Sequence, residues 1–117
     1  MSVMIDCDRK MILKLSNLIF GVLHEAILSI IEKENIRLTS QLELLLKETD
    51  QNTYGPSGVY ADIAVYLKSR REAFLFADLV KKAIELKHDY FNRYEGCIAH
   101  LNDFHTEIVK YGQELKN

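Results

Sequence analysis

The sequence predicts an all-α protein, a single-domain helical bundle of five to six helices spanning residues 1–117. Three observations carry that expectation. Apolar residues recur at steps of three and four along most of the chain. One proline and five glycines in 117 residues leave long uninterrupted segments, which suit helices better than many short strands. Two Ser-x-x-Glu signatures, at Ser40 and Ser69, mark helix starts.

Taken in order, the first helix is expected from Asp8 to about Glu34. Its stripe is Ile12, Leu15, Ile19, Val22, Leu23, Ala26, Ile27 and Ile30, and Asp8 suits its positive end as N-cap. Leu18, Phe20 and Leu28 widen the buried face. A turn near residues 35–37 precedes a capping box at Ser40-Gln41-Leu42-Glu43, followed by Leu42, Leu45 and Leu46. Residues 50–58 are polar and glycine-bearing and read as a loop. Pro56 disfavours helical geometry at the residue before it.

Ser57 can cap a short helix with Tyr60, Ile63, Ala64 and Leu67 facing inward. A second box, Ser69-Arg70-Arg71-Glu72, implies a change of direction and a new helix to about His88, burying Ala73, Phe76, Ala77, Val80, Ala83 and Ile84. The last helix is expected from about Phe91 to Leu115, with a stripe of Tyr94, Cys97, Ile98, Leu101, Phe104, Ile108, Tyr111 and Leu115. The long first and last helices should pair, with the 59–88 pair across them.

Composition narrows the function by exclusion. Apolar residues at 48% and charged residues at 27% describe an ordinary globular chain rather than a disordered one. The net charge of −2 is evenly spread. It shows neither the basic surplus of a nucleic-acid-binding domain nor the acidity of a nucleic-acid mimic. Cys7 and Cys97 lack CxxC spacing, which favours two reduced thiols in a cytoplasmic protein. Asp6 and Asp8 precede any apolar run, unlike a secretory signal. The apolar stretch 15–24 is too short for a membrane span.

No catalytic, metal or cofactor motif stands out. His100 and His105 are five apart and point about 140° from each other around a helix. His24 beside the stripe reads as a hydrogen-bonded, semi-buried histidine, and Cys97 on the stripe reads as a core thiol despite His100 nearby. Arg70, Arg71, Lys81 and Lys82 suggest a phosphate-facing surface, but Asp62, Glu72, Asp78 and Glu85 interleave them. The segment 54–60, with Tyr54 and Tyr60 around Pro56, offers amphipathic rings of the kind enriched at protein interfaces.

The run Tyr60-Ala61-Asp62-Ile63-Ala64-Val65-Tyr66-Leu67-Lys68-Ser69-Arg70-Arg71-Glu72-Ala73-Phe74, continued by Phe76-Ala77-Asp78-Leu79-Val80-Lys81-Lys82-Ala83-Ile84-Glu85, resembles small helical immunity proteins. These neutralise bacterial polymorphic toxins, including those of contact-dependent growth inhibition. The resemblance covers about a fifth of the chain and rests on structural motifs, so no functional residue transfers with it. It implies a cytoplasmic protein without catalytic residues that binds a cognate toxin domain and occludes its active site, with no cofactor, no direct nucleic-acid contact and no membrane. Glu43, Glu48, Asp50, Tyr54, Tyr60, Asp62 and Tyr66 are the expected contact residues. If the toxin is a nuclease, the four carboxylates would meet its basic groove. The alternative is a helical regulatory or adaptor module, nucleic-acid-linked through Arg70, Arg71, Lys81 and Lys82.

Overall fold

A computed structural model describes residues 2–50 and 59–116. Its architecture corrects the expected all-α bundle: the fold is α+β, with a three-stranded mixed sheet set against helices. The elements are β1 (Ser2–Cys7), β2 (Lys10–Ser16), α1 (Asn17–Lys33), α2 (Ser40–Glu48), β3 (Val59–Asp62), α3 (Ile63–Tyr66), α4 (Arg70–Leu86), α5 (His88–Phe91) and α6 (Cys97–Glu114).

The strand order is β2-β1-β3, so the first strand lies at the centre. β1 pairs antiparallel with β2, from Val3 opposite Leu15 to Cys7 opposite Lys10, and parallel with β3, from Val3 beside Val59 to Asp6 beside Asp62. Alternation sends Val3, Ile5, Leu13, Leu15, Val59 and Ala61 to the helix-covered face. A bulge between Ile5 and Asp6 places Ile12 as an extra residue in β2. Ile12 and Leu13 are therefore both buried. The resulting inward set of Ile12, Leu13 and Leu15 imitates the spacing of a helix, which is why residues 8–16 read as the start of α1.

The N-cap of α1 is Ser16, whose hydroxyl accepts the Ile19 N–H at 3.3 Å, rather than Asp8. Its buried face of Phe20, Leu23, His24, Ala26, Ile27 and Ile30 keeps part of the expected stripe, whereas Ile19 and Val22 are half-buried and Leu18 and Leu28, expected to widen the face, are exposed. α2 is capped by Thr39, one residue earlier than expected, through the Leu42 N–H at 3.2 Å. The box at Ser69 is formed: its hydroxyl accepts the Glu72 N–H at 3.1 Å. The side chain of buried Glu72 turns back to accept from Lys68 N, from Ser69 Oγ and, at 2.6 Å, from Thr39 Oγ1. One carboxyl group thus ties the starts of α2 and α4 together.

α4 packs along α6 and against α1, and α6 also reaches β2. Gly112 makes the α4–α6 approach possible, since a Cβ there would lie 2.7 Å from the Phe74 ring and 3.0 Å from Ala73 Cβ. The expected helix from 91 to 115 is instead divided. α5 ends at Phe91, Tyr94 lies outside any helix, and Gly96 at φ 76° turns the chain into α6. His24 is buried, and its Nε2–H donates to the Leu46 carbonyl at 2.7 Å, joining α1 to α2. The expected short helix at 59–68 is replaced at its start by β3, with Ser57 outside the described residues.

Candidate partner-binding surface

Helices cover one face of the sheet, and the other carries the side chains that alternation sends outward. Across it, Lys14, Met4 and Tyr60 form one row, and Met11, Asp6 and Asp62 the next. Met4, Met11 and Tyr60 are 38%, 54% and 61% exposed, high values for large apolar groups set side by side. Tyr60 was expected to face inward; in β3 it is the outward residue between buried Val59 and Ala61. Its hydroxyl donates to Asp6 Oδ2 at 2.8 Å, which fixes the ring across the strand boundary and pushes the phenol's pKa up.

Asp62 is turned to the protein's own backbone. Its carboxylate accepts from Asp8 N, Arg9 N and Ala64 N, each at 2.9 Å. Burial pushes its pKa up, but these three N–H groups and the nearby Arg9 charge outweigh it, and the net shift is downward. A depressed carboxylate pKa contributes stability that is present above the ordinary Asp range and lost as pH falls through the lowered value. Asp62→Ala is expected to cost about 2 kcal/mol at neutral pH. Thermal melts should show its gap to the unaltered protein narrowing below about pH 4. A gap constant down to acid would mean the carboxylate charge contributes nothing.

Behind the β1–β2 turn lies a cleft of about 410 Å³ lined by Cys7, Asp8, Lys10, Glu107, Lys110 and Glu114, among others. Burial pushes the half-buried Cys7 thiol up to about 11, with Asp62, Asp8, Glu107 and Glu114 adding to the effect. Such a thiol stays protonated at neutral pH and is a poor nucleophile. Tyr111 donates to the Leu67 carbonyl at 2.8 Å, tying α6 to the end of α3. On the outer side of β2, His100 Nε2 lies 3.2 Å from Lys14 N and 3.1 Å from Lys14 O. One ring nitrogen serves one of these at a time, yet it occupies an edge position where another strand would pair.

Six of the seven expected contact residues lie among the described residues. Tyr60 and Asp62 share the sheet's outer side with Asp6. Tyr66 in α3 is half-buried, and burial, then the Glu48 charge, pushes its hydroxyl's pKa up, which brings it together with the last residue of α2. Asp50 follows the α2 cap, with its N–H donating to Lys47 O at 3.2 Å. Glu43 is exposed in the first turn of α2, where its charge favours the helix start. Among the described residues, no hydrogen bond or ion pair joins its side chain to another of the seven. Tyr54 lies outside the described residues.

Met4, Asp6, Arg9, Met11 and Lys14 escaped the sequence reading, because they gather only through strand pairing. The one local signal was the alternation of Val3 and Ile5 around Met4. Of the basic residues considered for phosphate contact, Arg70 donates to Gln113 O at 2.9 Å, and Lys82 bridges Glu34 and Asp78 at 2.9 and 3.3 Å. Among the described residues no group of three or more His, Cys, Asp or Glu side chains is placed to hold a metal ion, and no helix is long and apolar enough to cross a membrane. No family model, no curated protein and no solved structure matches this chain.

Proposed function

We propose that this chain is an immunity protein, a stoichiometric inhibitor that binds a cognate bacterial toxin domain in the cytoplasm and neutralises it by covering its active site. The observation that carries this reading is the outer sheet face. There a pinned tyrosine stands beside exposed methionines, with Lys14 and Asp6 supplying charge of both signs. Tyrosine in a fixed pose loses little conformational freedom on binding, and methionine adapts to irregular partners. The run from Tyr60 to Glu85 that resembles immunity proteins begins on this face and continues into α4. The basic-patch alternative has less support, since Arg70 and Lys82 are held by neighbouring groups.

The test is co-expression with a toxin domain, taken from the gene immediately upstream where that gene encodes one. The unaltered protein should restore growth and form a one-to-one complex. Tyr60→Ala should weaken that complex about thirtyfold while leaving the thermal midpoint within about 2 °C, because the ring is exposed. Unchanged affinity in titration calorimetry would remove the sheet face from the interface. Failure of the unaltered protein to protect, together with salt-sensitive duplex binding in a mobility-shift assay, would favour the regulatory reading instead.

A further inference from the structure

The β1–β2 turn holds two adjacent residues in the left-handed region, Asp8 at φ 52° and Arg9 at φ 72°. Pairing of Cys7 with Lys10 leaves only these two in the turn. Positive φ at both positions is the hairpin geometry whose twist suits antiparallel strands, and Asn-Gly satisfies it most cheaply. Aspartate tolerates the conformation through its short polar side chain. Arginine has no such compensation, and the left-handed region disfavours it.

Support for the turn comes from a strand more than fifty residues away. The two oxygens of Asp62 take the Asp8 and Arg9 N–H groups separately, while Oδ1 also caps α3. Glycine at position 9 would form the same turn without strain. What glycine would remove is the exposed guanidinium, whose charge lies near the Asp62 carboxylate. A strained residue retained by a dedicated clamp points to a use for its side chain.

We infer that the β1–β2 tip is a preformed contact element, in which Arg9 engages an anionic group on the protein partner and Asp62 acts as a positioning residue that does not itself touch the partner. This rests on the partner-binding reading above and names the chemistry at one edge of it. Arginine suits the role because its planar fork makes paired hydrogen bonds to a carboxylate and anchors interfaces strongly.

The experiment compares Arg9→Gly and Arg9→Asn with the unaltered protein, both substitutions being compatible with positive φ. The thermal midpoint should stay level or rise by up to about 5 °C as strain is relieved. Affinity for the toxin domain should fall about tenfold or more. Asp62→Ala should speed amide exchange at Asp8 and Arg9 and weaken binding, with little further loss when added to Arg9→Gly. If the unaltered protein protects and either Arg9 variant binds within about twofold of it, this inference falls and the immunity reading stands. If the unaltered protein does not protect, both fall together. Binding lost only to nucleic acid would likewise overturn the assignment of a protein partner.

Discussion

Phe104→Ala is expected to lower stability by about 3–5 kcal/mol. Phe104 is essentially fully buried in α6 and meets the edge of Phe76 from α4, with ring centroids 6.3 Å apart and planes at 86°. It also borders a void of about 10 Å³ that Ile5, Phe20, Leu23 and His24 share. Truncation would open that void into a larger apolar cavity joining sheet, α1, α4 and α6. Against the ~5–15 kcal/mol total of an ordinary domain, the loss is severe. Denaturant titration should show it, with the thermal midpoint down by ~10–20 °C. A loss under about 1 kcal/mol would mean the helices do not meet through this ring. Phe74, 38% exposed and packed over Gly112, should by contrast lose less on truncation to alanine.

Glu72→Ala should have the second-largest effect, about 2–4 kcal/mol. Its side chain accepts three hydrogen bonds from a buried position, and removing it leaves Thr39 Oγ1, Lys68 N and Ser69 Oγ without that acceptor. Two helix starts would loosen at once, because Thr39 caps α2 and Ser69 caps α4. Glu72→Gln keeps one acceptor oxygen and should recover about half the loss. Chemical denaturation of the two variants separates the cases. Equal stability of the alanine and glutamine forms would show that the bonds a single retained oxygen can accept carry no weight.

The helices were legible where their buried stripe and their cap lie close together in the chain. Ser69 and Glu72 announced α4, and its buried residues Ala73, Phe76, Ala77, Val80, Ala83 and Ile84 followed the three-and-four spacing. The sheet was not legible, for identifiable reasons. The bulge at Ile12 destroyed the alternation that would have marked β2 and left a spacing that runs on smoothly into α1. β3 has only four residues, and its partner lies more than fifty positions away. Tyr60 was singled out for its chemistry but given the wrong orientation, because a helical stripe through Tyr60, Ile63 and Leu67 is consistent with the same letters as a strand followed by one helical turn. The role of Asp62 depends on the backbone of residues 8 and 9, which no local pattern near residue 62 reveals. Gly96 marked a break in the last helix that the apolar spacing had bridged.

Placing the first strand at the sheet's centre has a consequence for how the chain matures. During synthesis β1 and β2 emerge together and can zip into a hairpin, but the other side of β1 must wait until residues 59–62 have left the ribosome. Closing that long span costs on the order of 3–4 kcal/mol of chain entropy, recovered only once β3 docks. Until then the nascent protein displays a vacant, apolar strand border to its neighbours. The vulnerable interval for misassembly is therefore set by translation of the first half of the chain rather than by the helices that follow.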